Sequence, residues 1–182
     1  HGMGREEIDV RCLGSGRPFV LEVKRPSKRD HSIDDLVVRV NENASGKVEI
    51  DSLSWCDRSK VRMVKESRSE KTYTIRFRAD DLADEETVIS AISSLSGVVI
   101  DQETPKRVSH RRAAKIRRRR VVSVSSILVE GDVVQFSARC EAGTYVKELV
   151  HSDEGRTVPS VQSAIDRECE VLWLDVEEIH AD

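Results

Sequence analysis

The chain has 182 residues, 38% of them apolar, and no apolar run near the ~18 residues of a membrane-spanning helix, so its length allows one or two globular domains with a real core and excludes a helical membrane protein. Its net charge is only −3, yet residues 106–120, KRVSHRRAAKIRRRR, hold nine Lys or Arg and no acid, which leaves −12 on the remainder. Charge sorted in this way points to a polyanion gripped at one face, since phosphate contacts release counterions there while an acidic body discourages indiscriminate binding; the alternative is a solvated cationic strand or linker.

In chain order, His1-Gly2-Met3 reads as an expression remnant, and the folded chain is taken to begin at Gly4. Residues 8–13 (IDVRCL) and 17–24 (RPFVLEVK) alternate like strands around Gly14-Ser15-Gly16, which predicts an opening β-ribbon. Ser32-Ile33-Asp34-Asp35 looks like a capped helix start, with the helix running to about Asn43, Ser45-Gly46 ending it and a strand following near 47–54. Residues 71–78 (KTYTIRFR) predict a central strand with Tyr73, Ile75 and Phe77 on one face and Arg76 and Arg78 on the other.

Asp84-Glu85-Glu86 places acids in the first turn of a helix whose Val88, Ile89, Ile92 and Leu95 form an apolar stripe closed by Gly97, and a strand is expected at 98–101. From Ile116 to Cys140 two β-rich runs flank Glu130-Gly131-Asp132, a hairpin signal, so the basic block runs into a strand. Thr144 is placed to cap a short helix through about Val150. A polar loop at 153–157, a short helix near 160–166 and a strand at 169–175 close the chain. This order argues an α+β fold with a mixed, largely antiparallel central sheet flanked by helices and loops.

The four cysteines, Cys12, Cys56, Cys140 and Cys169, are far apart without a C-x-x-C pair, and the five histidines show no H-E-x-x-H spacing. No metal site, disulfide framework or cofactor motif is therefore expected. Reduced thiols and no leader-like segment lead to the expectation of a cytoplasmic protein and a monomer.

The most informative stretch is Gly143-Thr144-Tyr145-Val146-Lys147-Glu148-Leu149, which sets an aromatic face and a cation two residues apart beside a glycine. Stacking of a splayed base on an aromatic ring is worth roughly 1–3 kcal/mol, and a nearby lysine can hold a phosphate or orient a carboxylate. The same residues would also serve a strand turning into a helix around one core tyrosine.

Taken together, GREEIDVRCLGSGRPFVLEV (4–23), TPKRVSHRR (104–112) and AGTYVKELVHSDEGRTVPSV (142–161) resemble the catalytic domain of the Pus-ten family of tRNA pseudouridine synthases. The resemblance covers 4–182 as one catalytic domain on the pseudouridine synthase fold, with two subdomains sharing one sheet and a cleft between them. The family's amino-terminal THUMP-type RNA-binding region has no counterpart in it. It implies a tRNA partner, through the TΨC arm, and isomerisation of uridine to pseudouridine without metal or organic cofactor. Carried over residue by residue, it implies that Glu7 stands at the catalytic carboxylate position, that Tyr145 packs against the target base, and that Lys147 orients the carboxylate. It makes Tyr73 a second substrate-side tyrosine, although a core tyrosine reads equally well, and it lets Arg5 occupy the gap left by a flipped base. Arg111, Arg112, Lys115, Arg117, Arg118, Arg119 and Arg120 are the candidates for the RNA backbone.

One position departs from the family pattern. Where that pattern has G-R-E-D-V-D-V-R, this chain has Gly4-Arg5-Glu6-Glu7-Ile8-Asp9-Val10-Arg11. The extra methylene carries the carboxylate roughly 1.5 Å further from the backbone. Three accounts follow: Glu7 reaches the sugar, Asp9 substitutes, or the domain binds tRNA with weak or no catalysis.

Overall fold

The computed structural model describes residues 1–181, so the end of the expected domain at Asp182 lies outside the described residues. The chain divides into two units, one made of His1–Met3 and Pro18–Glu66, the other of Gly4–Arg17 and the chain from Ser67 onward. Among the described residues no helix is long and apolar enough to cross a membrane.

The first unit holds α1 (Ile33–Asn43) and α2 (Ser59–Glu66). Ser32 caps α1 as expected, its hydroxyl accepting the Asp35 amide at 3.2 Å, and Asp34 and Asp35 sit at the positive end of the helix dipole. Gly46, at φ +74°, turns the chain just after the helix. The strand expected at 47–54 does not form, and α2 was not anticipated. Asn41 takes both backbone groups of Ile50, donating to its carbonyl at 2.9 Å and accepting its amide at 2.8 Å. That side-chain clasp occupies the groups a sheet neighbour would have bonded.

The second unit is built on a six-stranded sheet of order β5-β2-β3-β4-β1-β6, in which every neighbouring pair is antiparallel. In chain order its strands are β1 (Glu70–Arg78), β2 (Val99–Glu103), β3 (Ile116–Glu130), β4 (Val133–Cys140), β5 (Thr157–Val158) and β6 (Glu170–His180). Its helices are α3 (Glu85–Ser93), α4 (Val146–His151) and α5 (Val161–Ile165).

The period-two pattern of β1 buries Lys71, Tyr73, Ile75 and Phe77, and that of β4 buries Val134, Phe136, Ala138 and Cys140. Phe77 and Phe136 meet edge to face, with centroids 6.1 Å apart and planes at 82°. Val88 and Ile92 of α3, with Leu95, are buried as the apolar stripe required, and Asp84 caps that helix through the Thr87 amide. Each fully buried Ile, Val or Phe contributes about 1.5–3 kcal/mol, and these faces join the sheet to its helices.

The opening β-ribbon is absent. The Val10 amide bonds the Glu7 carbonyl at 3.1 Å, folding 7–10 into a turn that leaves Ile8 fully exposed. Beyond it the chain docks on the free edge of β6: Arg11 makes an isolated parallel bridge with Asp175, and the Ser15 amide bonds the Glu177 carbonyl at 2.8 Å. Gly14 is required there, because a Cβ would lie 1.9 Å from that carbonyl oxygen. An edge strand with unpaired backbone is a stronger template than a second short strand with little to bury.

Candidate active site

A cleft of about 590 Å³ opens in the second unit. That volume lies within the range of roughly 300–1,000 Å³ common for sites that enclose a small ligand. The opening loop gives it Arg5, Glu6 and Glu7; the short 3₁₀ segment Lys106–Val108 and the loop after it give Arg107, Arg111 and Arg112. β3 gives Arg117 and Arg119, α4 gives Lys147, and Leu174 of β6 supplies an apolar wall. Seven cations therefore face two carboxylates, and the net positive charge suits a polyanionic ligand.

The position of α4 is set by a residue far away in sequence. Gln102 of β2, fully buried, accepts the Tyr145 amide and donates to the Tyr145 carbonyl, both at 2.9 Å. Tyr145 is the residue that begins α4, with no side-chain cap. The expected cap, Thr144, turns the other way, its hydroxyl donating to the Glu141 carbonyl at 2.8 Å. Gln102 thus anchors the N-cap residue of α4 to β2.

The helix then presents Lys147 to the acid loop. Its ammonium lies 3.4 Å from Glu7 Oε2 and 2.5 Å from Asp9 Oδ2. The hydrogen bond from Lys147 holds the Asp9 carboxyl below its ordinary value, against the opposing effect of burial. Asp9 remains 62% exposed and does not line the cleft, whereas Glu7 does. Glu7 also contacts Arg107 through Oε1, and Arg107 in turn grips Glu148 with Nε at 2.5 Å and Nη2 at 2.8 Å.

Tyr145 is half-buried, with the guanidinium carbons of Arg107 and Arg117 at 5.9 and 5.6 Å from its ring centroid, within cation–π range. Beneath the acid loop, Lys71 holds Glu6 at 2.7 Å and Arg17 approaches the same oxygen at 3.4 Å. Gly4 makes room for this, since a Cβ there would meet Lys71 Nζ at 2.5 Å.

The structure brings Glu7, Lys147, Tyr145 and Arg5 together, along with Arg111, Arg112, Arg117 and Arg119. It places Tyr73 elsewhere. That residue shares the buried face of β1, is 4% exposed and does not line the cleft, and burial, with the charge of Glu6, pushes its phenol well above its ordinary value. Lys115, Arg118 and Arg120 do not line the cleft either. Strand alternation turns Arg118 to Asp101 at 3.4 Å and Arg120 to the Gly97 carbonyl at 2.9 Å. Sequence reasoning did not single out Gln102, Arg107, Glu148, Lys71 or Leu174; no local spacing ties Arg107 to an acid 41 positions later. Among the described residues no group of three or more His, Cys, Asp or Glu side chains is gathered as a metal ion would need, and the four cysteines are free.

The family model described as "Pus10, C-terminal" matches residues 1–180. The chain belongs to that family. It is 48% identical over 176 residues to the tRNA pseudouridine synthase Pus10 of Methanothrix thermoacetophila, covering 97% of this chain and 39% of that protein. To the protein of the same name from Archaeoglobus fulgidus it is 43% identical over 176 residues, covering 97% of this chain and 48% of the relative. The chain thus spans less than half the length of these relatives.

Among solved structures, a Cbf5-Nop10-Gar1 complex superposes with a TM-score of 0.53 at 24% identity, over 65% of this chain and 33% of the matched one. An H/ACA RNP bound to a substrate RNA containing 2′-deoxyuridine superposes at 0.50 and 17%, over 81% and 43%. These likenesses show the fold, which is that of the pseudouridine synthases.

Proposed function

We propose that this domain is the catalytic part of a tRNA pseudouridine synthase acting on uridines of the TΨC loop, with Glu7 as the reacting carboxylate. In that reaction the C1′–N1 bond breaks, the uracil turns, and a C1′–C5 bond forms, the C5 proton leaving to solvent while N1 takes one up. The observation that carries the reading is the Glu7 carboxylate, held between Lys147 and Arg107 on the wall of a basic cleft that also contains the Tyr145 ring.

The geometry supports the following partition of labour. Lys147 keeps Glu7 oriented from one side and Arg107 from the other. Tyr145 offers a ring against which an extruded base can pack, and Arg5, which lines the same cleft, is available to fill the space the base leaves. Arg111, Arg112, Arg117 and Arg119 supply phosphate contacts around it. Of the two acids that meet Lys147, Glu7 rather than Asp9 is favoured because only Glu7 lines the cleft. Tyr73, closed within the core and absent from the cleft wall, is not available to stack the base.

The test is tritium release from tRNA labelled at uridine C5, with the product position mapped by carbodiimide adduct formation. Release by this chain, lost in Glu7→Gln, is expected. No release from this chain but release from Glu7→Asp would leave a tRNA-binding domain whose catalytic acid is displaced by its extra methylene. No release from either would overturn the assignment of the site.

A further inference from the structure

We propose that Arg107 is a positioning residue for Glu7: locked by the buried Glu148, it holds one oxygen of the Glu7 carboxylate while Lys147 holds the other. The inference rests on the reading of Glu7 as the reacting acid.

The three guanidinium nitrogens of Arg107 are divided between two carboxylates. Nε and Nη2 make a bidentate pair with Glu148 at 2.5 and 2.8 Å, and Nη1 is left to meet Glu7 Oε1. Glu148 is 1% exposed, so its charge requires that cation, and the planar fork fixes the direction in which Nη1 points. Glu7 Oε2 faces Lys147 at 3.4 Å, so the two oxygens of one carboxylate have different cations and the group cannot rotate freely.

Lys147 and Glu148 are consecutive residues of α4. One helix therefore controls both cations, Lys147 directly and Arg107 through Glu148, and its start is fixed by Gln102. A glutamate has one more rotatable bond than the aspartate it replaces, and a second cation restrains that added freedom. An arginine serving the RNA backbone would keep its fork free for phosphate, as the guanidinium of Arg107 does not.

The decisive experiment compares Arg107→Lys, Glu148→Gln and the charge-neutral double variant Arg107→Gln/Glu148→Gln in single-turnover pseudouridylation and in tRNA binding. The double variant guards against simple unfolding, because it leaves no buried charge without a partner. Misplacement of a reacting group by about 1 Å costs around 10²-fold, so a fall of at least about 10-fold in the single-turnover rate is expected in all three, with tRNA affinity changed by less than about threefold. Recovery of the wild-type rate in the double variant would show that the pair only supports the fold and would overturn the proposal. Affinity falling in step with rate would make Arg107 an RNA contact and overturn it too.

A second arm does not depend on turnover. In ¹⁵N-arginine-labelled chain, the Arg107 Nε–H and Nη–H signals should be distinct and slowly exchanging, and Glu7→Gln should shift the Nη set while leaving Nε–H in place. Unmoved signals would remove the contact. If the chain has no activity at all, the functional reading fails, and this arm still decides whether Arg107 holds Glu7.

Discussion

Gln102 and Tyr145 exchange two hydrogen bonds of 2.9 Å, the buried side-chain amide of one closing on the backbone amide and carbonyl of the other. The N-cap residue of α4 is thereby tied to β2, and with it the cations that face Glu7. Replacing Gln102 by Leu would preserve volume but leave the Tyr145 amide without its partner, while the Tyr145 carbonyl keeps only the Leu149 amide at 3.0 Å. A loss of about 1–3 kcal/mol in stability is expected from stranding such a group, read by urea denaturation. Turnover should fall further than that loss explains at temperatures where the variant is still folded. A Gln102→Leu chain with wild-type rate would show that α4 is positioned by its apolar contacts alone.

The Arg117–Arg120 run divides by strand alternation. Arg117 and Arg119 line the cleft, while Arg118 pairs with Asp101 and Arg120 with the Gly97 carbonyl. Each phosphate contact removed should lower the slope of log affinity against log salt by about 1. Alanine at Arg117 and Arg119 together should therefore flatten the slope by about 2 units, and alanine at Arg118 and Arg120 by less than 1, in fluorescence anisotropy with tRNA over a salt series. Equal effects from the two pairs would mean that RNA reads the strand from both sides.

That division was available from the sequence, since the strand at 116–130 was legible and period two follows from it. The same reasoning correctly gave β1, α3 and the β3–β4 hairpin, where apolar spacing and turn residues agree. It failed where a distant partner decided the outcome. Ile8 and Val10 alternate like strand residues, but the free edge of β6 captured the chain at Arg11 and the Glu7–Val10 turn freed Ile8 into solvent. Ile50 looked like strand until Asn41 took its backbone groups. Glu7 and Lys147 could be named from motif blocks, but Arg107, bound to Glu148 across 41 positions, carries no local signal. Tyr73 was ambiguous for a different reason: an inward-facing strand residue can serve core or ligand, and only its burial separates the two.

Asp9 supplies a pH dependence with a definite sign. Its carboxyl is held below its ordinary value by the hydrogen bond from Lys147, so the folded state binds the proton more weakly than the unfolded state. The stabilisation is present above the ordinary aspartate pKa and is lost as pH falls through the depressed folded value. With the side chain 62% exposed, solvent screening keeps the contribution below about 1 kcal/mol. Asp9→Asn should lower stability by that small amount at neutral pH and by nothing at strongly acid pH, so the two denaturation curves converge on acidification. A constant difference across the series would assign the effect to packing. Because Asp9 does not line the cleft, the variant should retain tRNA turnover within a few-fold.

Beneath the acid loop, Lys71 and Glu6 form an ion pair at 2.7 Å with side chains only 10% and 16% exposed. Breaking a buried pair from one side leaves an uncompensated charge, at a cost of about 3–5 kcal/mol, whereas replacing both partners by apolar groups of similar volume is often neutral. Arg17, 3.4 Å from the same Glu6 oxygen, softens the loss of Lys71, so Lys71→Met should fall at or below the low end of that range. Lys71→Met/Glu6→Leu should recover part of the stability in a thermal denaturation cycle. Turnover should not recover with it, because Glu6 immediately precedes Glu7 and its pairing pins that side of the loop while Lys147 and Arg107 pin the other. Recovery of both stability and turnover would show that the loop holds its shape through the Glu7–Val10 turn alone, and that the ion pair below it serves only the core.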